Sequence, residues 1–425
     1  MNKTKEILIT SFALFSMFFG AGNLILPPFL GLQASENWWL VTLGFTTTAV
    51  VIPILAILAH AKLQGSLFDF AKKVSPLFGT IYCFIIYIIC VLLPAPRTAS
   101  VTHEMAIQPY FETSTLLTSA IYFSLVLIFA LNRTRILSLM GRFLTPIIVV
   151  ILLAIICVGL FTSPEIVNPS TFKTPFVSGI LEGYQTFDAI GGAVIGGVIV
   201  ISLKLKGFTS FEAKKELITK SGLIAGFGLL IIYAGLIALG ASFNSEIPAD
   251  ASRIQILTQL STATLGQKET IFLSVLVGLA CFTTAVGIVT GVSDYFKGFF
   301  NESDFVYKTT AVLSCVLGVL IGQFNVAFII EIAVPILMII YPVTIVLIIL
   351  NVIPDKYTSG FVFKAVVAIA ILFSIPDVIN MFYLDLDLFK QLVDFIPLAK
   401  YSLAWVLPSF IMLLVLNFKF FTTKK

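Results

Sequence analysis

Charged residues are scarce in this chain. They make up 11% of its 425 residues, whereas hydrophobic residues make up 58%. Because soluble domains carry about 25% charged residues, this composition excludes an ordinary soluble protein and predicts a polytopic membrane protein. The net charge is only +4, which gives no reason to expect a nucleic-acid partner.

Side chains for catalysis or metal binding are also few. The chain has two histidines, His60 and His103, and five cysteines without CxxC spacing, so zinc, haem and histidine-dependent triads have little to build on. Gly20 and Gly22 lack the third glycine of a dinucleotide-binding loop, and neither GxxxxGK[ST] nor HExxH occurs. We therefore expect no enzyme, no ATP-driven transport within the chain and no cofactor.

Long apolar runs are abundant instead. A membrane-spanning helix needs about 20 apolar residues, and twelve such segments have approximate ends at 7–30, 38–60, 76–95, 114–131, 143–161, 178–203, 221–242, 270–292, 307–322, 326–350, 361–380 and 401–421. With the N-terminus inside, 20 of the 26 Lys and Arg residues fall on the cytoplasmic side, which is a strong positive-inside signal. This predicts an all-α protein with twelve transmembrane helices and both termini in the cytoplasm.

The first apolar segment is interrupted. Gly20, Gly22 and Asn23 lie in its middle, and Pro27 and Pro28 follow. Glycine lowers helix stability by about 1 kcal/mol relative to alanine, and proline removes a backbone donor. Irregular backbone at membrane depth is tolerated where it lines a cavity or is buried in protein, so this span is a candidate binding site. Alternatively, the glycines only permit close helix packing.

A second interruption lies in segment six, where residues 182–188 (EGYQTFD) precede two pairs of glycines. Segments one and six thus hold the same place in two five-helix halves, and because five is an odd number the second half is inverted. This predicts a single transmembrane domain over residues 1–425. It comprises a first repeat at about 7–161, a second at about 178–350 and two extra C-terminal helices at about 361–421.

Broken helices suit a zwitterionic ligand. Amides at the N-terminal end of a half-helix attract a carboxylate, and carbonyls at a C-terminal end attract an ammonium group or a cation. The predicted substrate-binding residues are Phe19, Gly20, Ala21, Gly22, Asn23, Tyr184, Gln185, Thr186, Phe187 and Asp188, with Tyr87 as a wall residue.

Segment eight supplies oxygen ligands. Ala280, Thr283 and Thr284 share one helix face, and hard oxygen ligands suit Na+. The carbonyls of Ser16 and Phe19 complete the predicted set where the first helix breaks. Alternatively, the two hydroxyls only bond to the preceding turn or to a neighbouring helix.

Three charged residues are candidates for coupling or gating. Asp188 and Glu331 lie in apolar segments. Placing a charge in a membrane costs free energy, so a charged residue there is a candidate for a functional role. Asp188 either binds a substrate ammonium, positions backbone, carries a proton or caps a helix, and Glu331 either takes part in coupling or contacts a neighbouring helix. Arg97 is either an outer gate, a partner for a carboxylate or an interfacial residue that snorkels.

Residues 12–28 (FALFSMFFGAGNLILPP) closely resemble the opening signature of the bacterial branched-chain amino acid carriers. Residues 96–99 (PRTA) and 183–188 (GYQTFD) match further signatures of that family, and the similarity covers essentially the whole chain. The resemblance implies cation-coupled uptake of leucine, isoleucine and valine, usually with sodium, across the bacterial plasma membrane.

That family is similar in turn to the amino acid/polyamine/organocation superfamily, whose members have the fold of the bacterial sodium-coupled leucine transporter. This resemblance implies that Ser16, Phe19, Ala280, Thr283 and Thr284 bind Na+, whereas Asp188 departs from the leucine transporter's pattern. Proton coupling through Asp188 or Glu331 stays open, as do, more remotely, a channel and a membrane enzyme. The sequence decides neither the order of preference among the three substrates nor the oligomeric state.

Overall fold

The computed structural model describes residues 3–131, 145–162, 169–243, 247–248, 251–381 and 395–422. These residues are almost entirely helical, and none of them lies in a β-strand. Their α-helices are α1 Lys3–Phe18, α2 Ala21–Ala34, α3 Trp38–Thr46, α4 Ile52–Leu63, α5 Leu67–Ala71, α6 Pro76–Leu92, α7 Pro94–Thr102, α8 Thr115–Leu131, α9 Thr145–Thr162, α10 Pro175–Tyr184, α11 Asp188–Leu205, α12 Phe211–Ser242, α13 Arg253–Leu265, α14 Gln267–Phe299, α15 Asp304–Gly322, α16 Val326–Val352, α17 Gly360–Met381 and α18 Val406–Thr422.

Every predicted apolar segment corresponds to a helix or a pair of helices. Segment one is α1 and α2, segment two is α3 and α4 joined by a π-helical turn, and segment six is α10 and α11. Residues 143–144 of segment five lie outside the described part of the chain. Among the described helices, seven stretches are long and apolar enough to cross a membrane, and the α10–α11 pair makes an eighth if it is one span.

Between the predicted segments seven and eight lies a further helix, α13, which the apolar pattern does not predict. The Ser252 hydroxyl accepts a bond from the Gln255 amide over 3.2 Å, and the Gln255 side chain accepts one from the Ser252 amide over 2.8 Å. This reciprocal pair is a capping box. The Ser-x-x-Gln spacing was therefore a usable signal for the start of α13.

Contacts divide the chain into two units. One comprises Met1–Val51, Ile86–Phe187 and Lys220–Ile330, and the other comprises Ile52–Ile85, Asp188–Thr219 and Glu331–Lys425. All the predicted site residues except Asp188 and Glu331 belong to the first unit. The division follows contacts rather than sequence repeats, so the predicted repeat boundaries stay a prediction.

Two helix pairs of the first unit pack with their backbones in contact. A Cβ atom added to Gly31 of α2 or to Gly240 of α12 would overlap a backbone carbonyl oxygen of the other helix. The same holds for Gly44 of α3 and Gly179 of α10. Since small residues let membrane helices approach closely, these glycines position α2 and α10, the helices that flank the two interruptions.

In the second unit, α4 and α11 pack together around a buried histidine. The Nε2 atom of His60 lies 2.8 Å from the Ala193 carbonyl oxygen, and Nδ1 lies 3.0 Å from that of Gly65. A Cβ atom at Gly196 would overlap the His60 ring. His60 therefore has a packing role in this unit.

Candidate functional site

The first interruption is two residues long, because α1 ends at Phe18 and α2 begins at Ala21. Gly20 has an extended backbone (φ −112°, ψ −168°), and its amide donates to Oδ1 of Asn23 over 3.4 Å. In a continuous helix, that amide would donate to the Ser16 carbonyl. The break thus withdraws the helical donor from a carbonyl that was predicted to bind sodium.

The side chain of Asn23 holds this interruption in place. It is 1% exposed, and its Nδ2 donates to the hydroxyl of Tyr233 in α12. The Tyr233 ring lies 6.3 Å from the ring of Phe19 and 5.4 Å from that of Phe45, measured between centroids. The Asn23 side chain thus bonds to other residues of the protein. The prediction that Asn23 binds the substrate concerns its backbone amide instead.

The helix α2 continues through Pro27 and Pro28 to Ala34. The prolines therefore lie inside the helix, after the interruption rather than within it. Because proline has no amide, the carbonyls of Asn23 and Leu24 lack the donor that a regular helix would supply. Neighbouring helices and side chains make such gaps tolerable in membrane helices.

The second interruption has a different backbone. The helix α10 ends at Tyr184 and α11 begins at Asp188. The amides of Gln185, Thr186 and Phe187 donate to carbonyls three residues earlier, over 3.0, 3.3 and 3.1 Å, which tightens the end of α10. Phe187 has φ +63°, a left-handed conformation that few non-glycine residues adopt. All five predicted residues from Tyr184 to Asp188 are buried.

Arg97, in α7, contacts the second interruption and lies against the first turn of α2. Its Nη1 donates to the Gln185 carbonyl over 2.8 Å, and its Cζ lies 5.1 Å from the centre of the Phe187 ring. A Cβ atom added to Gly22 would lie 2.5 Å from Nη2 of Arg97. Since Arg97 is only 3% exposed, the interpretation of it as a snorkelling interfacial residue is wrong.

A second arginine near this site was missed by the sequence analysis. Arg253, the first residue of α13, donates to both carboxylate oxygens of Glu182 over 3.0 and 3.2 Å, and to Oε1 of Gln185 over 3.2 Å. Its guanidinium group also lies 4.5 Å from the centre of the Phe29 ring. Gln185 therefore has two arginine partners, Arg97 at its carbonyl and Arg253 at its side chain.

The predicted sodium face of α14 lies against the first interruption. A Cβ atom at Gly20 would lie 3.5 Å from Oγ1 of Thr284. The Thr283 and Thr284 hydroxyls donate to the Ala280 carbonyl over 2.8 and 3.1 Å, as expected if they bond to the preceding turn. A hydroxyl that donates its proton keeps lone pairs, so the two hydroxyl oxygens also fit Na+, whereas the Ala280 carbonyl already accepts both of their bonds.

Tyr87, the predicted wall residue, is buried and stacks on Tyr295 with ring centroids 4.3 Å apart. Tyr295 follows Thr284 by eleven residues in the same helix, which corresponds to about 16 Å along its axis. The Tyr87 ring thus contacts α14 well away from the sodium face. Its part in a substrate wall stays a prediction.

The predicted carboxylates differ in burial. Asp188 is 2% exposed and opens α11, where the helix dipole favours a negative charge. Glu331 is exposed and lies in the second turn of α16, near the start of that helix rather than at its middle. Asp377 of α17, which the sequence analysis did not single out, is also 2% exposed.

Comparisons with known proteins agree with these features. A family model described as "Branched-chain amino acid transport protein" matches residues 3–422. The branched-chain amino acid permease BraB of Bacillus subtilis is 36% identical over 96% of this chain and 94% of its own. The branched-chain amino acid transport system 2 carrier protein of Pseudomonas aeruginosa is 32% identical over 96% and 95%. The relatives are named as permeases and carriers, which confirms a transporter rather than an enzyme.

Solved structures with a similar fold are also transporters. The nucleobase-cation-symport-1 family transporter Mhp1 has a TM-score of 0.62 at 14% identity, covering 96% of this chain and 91% of its own. MhsT in complex with L-phenylalanine has a TM-score of 0.54 at 15% identity, covering 97% and 98%. Both have the fold of the sodium-coupled leucine transporter, which confirms the expected fold class.

Proposed function

The chain belongs to the branched-chain amino acid transport protein family, and from this premise we propose that it takes up leucine, isoleucine and valine by Na+-coupled symport. The relatives named above are branched-chain amino acid permeases and carriers, which supports this substrate class. Alternating access by rocking of one helix bundle against the other would complete the transport cycle.

The observation that carries the sodium proposal is the meeting of the first interruption with α14. Gly20 directs its amide to Asn23, so the Ser16 carbonyl loses its helical donor, and the same glycine lies beside the Thr284 hydroxyl. Na+ held by the carbonyls of Ser16 and Phe19 together with the oxygens of α14 would order the broken backbone. Binding of Na+ would then raise the affinity for the amino acid, which is the differential binding that coupling requires.

The proposed substrate pose uses both interruptions. The carboxylate meets the amides of Ala21, Gly22 and Asn23, and the ammonium group meets the carbonyls near Phe19 and at the end of α10. The carbonyls of Glu182 and Tyr184 each accept one backbone bond in this turn, and a carbonyl oxygen has two lone pairs. A second bond, to an ammonium group, is therefore compatible with the turn that follows α10.

Transport by the purified full-length chain in proteoliposomes tests the coupling. We expect an inward Na+ gradient to drive leucine accumulation at constant pH, while a proton gradient without Na+ drives none. Unchanged accumulation without Na+ would contradict sodium coupling and favour proton coupling, for which Asp188 is the better placed carboxylate because it is buried and Glu331 is exposed. Conductance without saturable counterflow would indicate a channel.

Replacement of both hydroxyls, Thr283→Ala with Thr284→Ala, tests the ion site. We expect the Na+ concentration for half-maximal leucine binding to rise by about tenfold or more, which corresponds to about 1.4 kcal/mol, because the double variant removes two of the proposed oxygen ligands. Thr290→Ala, six residues further along α14, is the matched control and should not shift that concentration. Normal Na+ activation of the double variant would refute the site.

We also propose that the protein is a multi-pass protein of the bacterial plasma membrane with both termini in the cytoplasm. The excess of Lys and Arg at the two termini and in the even-to-odd loops, which this orientation places in the cytoplasm, supports it. Labelling of single cysteines introduced at Lys5 and Lys173 tests it in intact cells. An impermeant reagent should label position 173 only, and labelling of position 5 would overturn the orientation.

A further inference from the structure

We propose that Arg97 binds the carboxylate of the amino acid, together with the first-turn amides of α2. This inference rests on the proposed function and identifies a residue that decides which molecules the site accepts. The carboxylate site would then contain a positively charged side chain in addition to backbone amides.

The position of Arg97 is the first argument. A guanidinium group deep in an apolar helical protein is costly, so such residues are rare and usually functional. Arg97 is 3% exposed and lies in α7, next to the residues that form both interruptions. Its side chain therefore carries a full charge into the region where the zwitterion is proposed to bind.

The contact with Gly22 is the second argument. A Cβ atom there would lie 2.5 Å from Nη2 and 3.1 Å from Cζ of Arg97, so the absence of a side chain lets the guanidinium reach the first turn of α2. The N-terminal end of a helix carries a partial positive charge. A carboxylate that binds beside both positive groups is stabilised by each of them.

The orientation of the guanidinium is the third argument. The Gln185 carbonyl accepts from Nη1 over 2.8 Å, and the ring of Phe187 lies 5.1 Å from Cζ. A guanidinium held in this way is a planar fork that matches a carboxylate with two parallel bonds. The same Phe187 has the left-handed backbone of the second interruption, so the conformation of this turn and the position of the guanidinium are linked through one residue.

This geometry also fixes the direction of the substrate. The ammonium group is repelled by Arg97 and therefore binds to the carbonyls near Phe19 and to those of α10 that precede Gln185, whose carbonyl accepts from Arg97, while the carboxylate points to α7. An amine without a carboxylate has no group that can bond to Arg97. We therefore expect the site to reject amines and amino acid amides that carry the same apolar side chain.

A cycle of two ligands and two proteins tests this inference. The ligands are L-leucine and L-leucinamide, whose amide is neutral, and the proteins are the wild-type chain and Arg97→Gln. In wild type we expect leucinamide to bind about 30-fold more weakly or worse, since bonds between charged groups contribute about 1.5–3 kcal/mol. In Arg97→Gln we expect leucine binding to fall by a similar factor, and leucinamide binding to change less than threefold.

Arg253→Gln is the matched control, because Arg253 also bonds to Gln185 but is held by Glu182. Arg253→Gln should weaken the binding of leucine and of leucinamide by the same factor. Equal losses of both ligands in Arg97→Gln would show a merely structural role and overturn the inference, and so would unchanged leucine binding.

Two further measurements keep the test decisive. If Arg97→Gln does not fold, Arg97→Lys replaces it, and a wild-type preference for leucine over leucinamide of less than threefold overturns the inference by itself. If wild type binds neither ligand and transports no leucine, the proposed function has failed. If it transports leucine but discriminates poorly against leucinamide, only the assignment of Arg97 has failed.

Discussion

The two interruptions do the same thing to a helix by different means. The first uses Gly20 with an extended backbone and an asparagine whose side chain accepts from the Gly20 amide. The second uses no glycine: three backbone bonds tighten the turn, and Phe187 takes a left-handed conformation. The first break therefore rests on side-chain chemistry at low strain, whereas the second stores strain that its surroundings must offset.

The two glycines at the first interruption differ in role: one has an extended backbone, and the other leaves space for a neighbouring side chain. Gly20 and Gly22 look equivalent in the sequence, yet a Cβ atom at Gly20 would meet ordinary contacts of 3.5 Å and one at Gly22 would collide with Arg97. Of these two glycines, only Gly22 lacks room for a Cβ atom. Substitutions at four positions test how far this comparison holds.

Gly22→Leu should have the largest effect. Its side chain would displace Arg97 and approach the Gln185 carbonyl, which lies 3.3 Å from an added Cβ atom, so both interruptions would be disturbed. We expect leucine binding to weaken by about 100-fold or more, as at binding hot spots. Equilibrium binding to the purified protein measures it, and undiminished binding would remove the first turn of α2 from the site.

Asn23→Ala should destabilise the fold next most strongly. It removes the acceptor of the Gly20 amide, a bond worth about 1 kcal/mol, and leaves the buried Tyr233 hydroxyl without this partner, which adds about 1–3 kcal/mol. Thermal unfolding in detergent measures the loss. The control is Asn325→Ala, which removes an exposed cap at the start of α16. If the two variants unfold at the same temperature, Asn23 does not hold the first interruption.

At Phe187, the stabilities of two variants test the left-handed backbone. Phe187→Ala and Phe187→Gly both remove the ring, but glycine adopts a positive φ without cost, so Phe187→Gly should be the more stable by about 1 kcal/mol. At the helical residue Phe45 the order should be reversed by a similar amount. Thermal unfolding of the four variants gives the two differences. The same order at both positions would argue against strain at the second interruption.

Gly20→Ala should have the smallest effect. Its extended backbone suits any residue, and its nearest neighbours lie at 3.5–3.9 Å from an added Cβ atom, so we expect a change within about 0.5 kcal/mol. Gly31→Ala is the contrasting control, because its Cβ atom would overlap a backbone carbonyl of α12 and should reduce folded yield sharply. A large loss for Gly20→Ala would mean that the first break also depends on glycine.

The sequence predicts the helices and both interruptions well because their signals are local. Apolar length marks the spans, and glycine, proline and asparagine mark the first break. The bonds that join the breaks to the rest of the protein have no such signal, since Asn23 and Tyr233 are separated by 210 residues and Glu182 and Arg253 by 71. The left-handed Phe187 was equally unpredictable, because phenylalanine does not favour that conformation.

The close approach of Arg97 to Gly22 also constrains how such proteins change during evolution. A larger residue at position 22 is tolerated only if the side chain at position 97 becomes shorter, and a shorter side chain at position 97 removes the reason for glycine. We therefore expect these two positions to vary together in relatives. A lineage that has exchanged both residues should also have changed the class of molecule it carries.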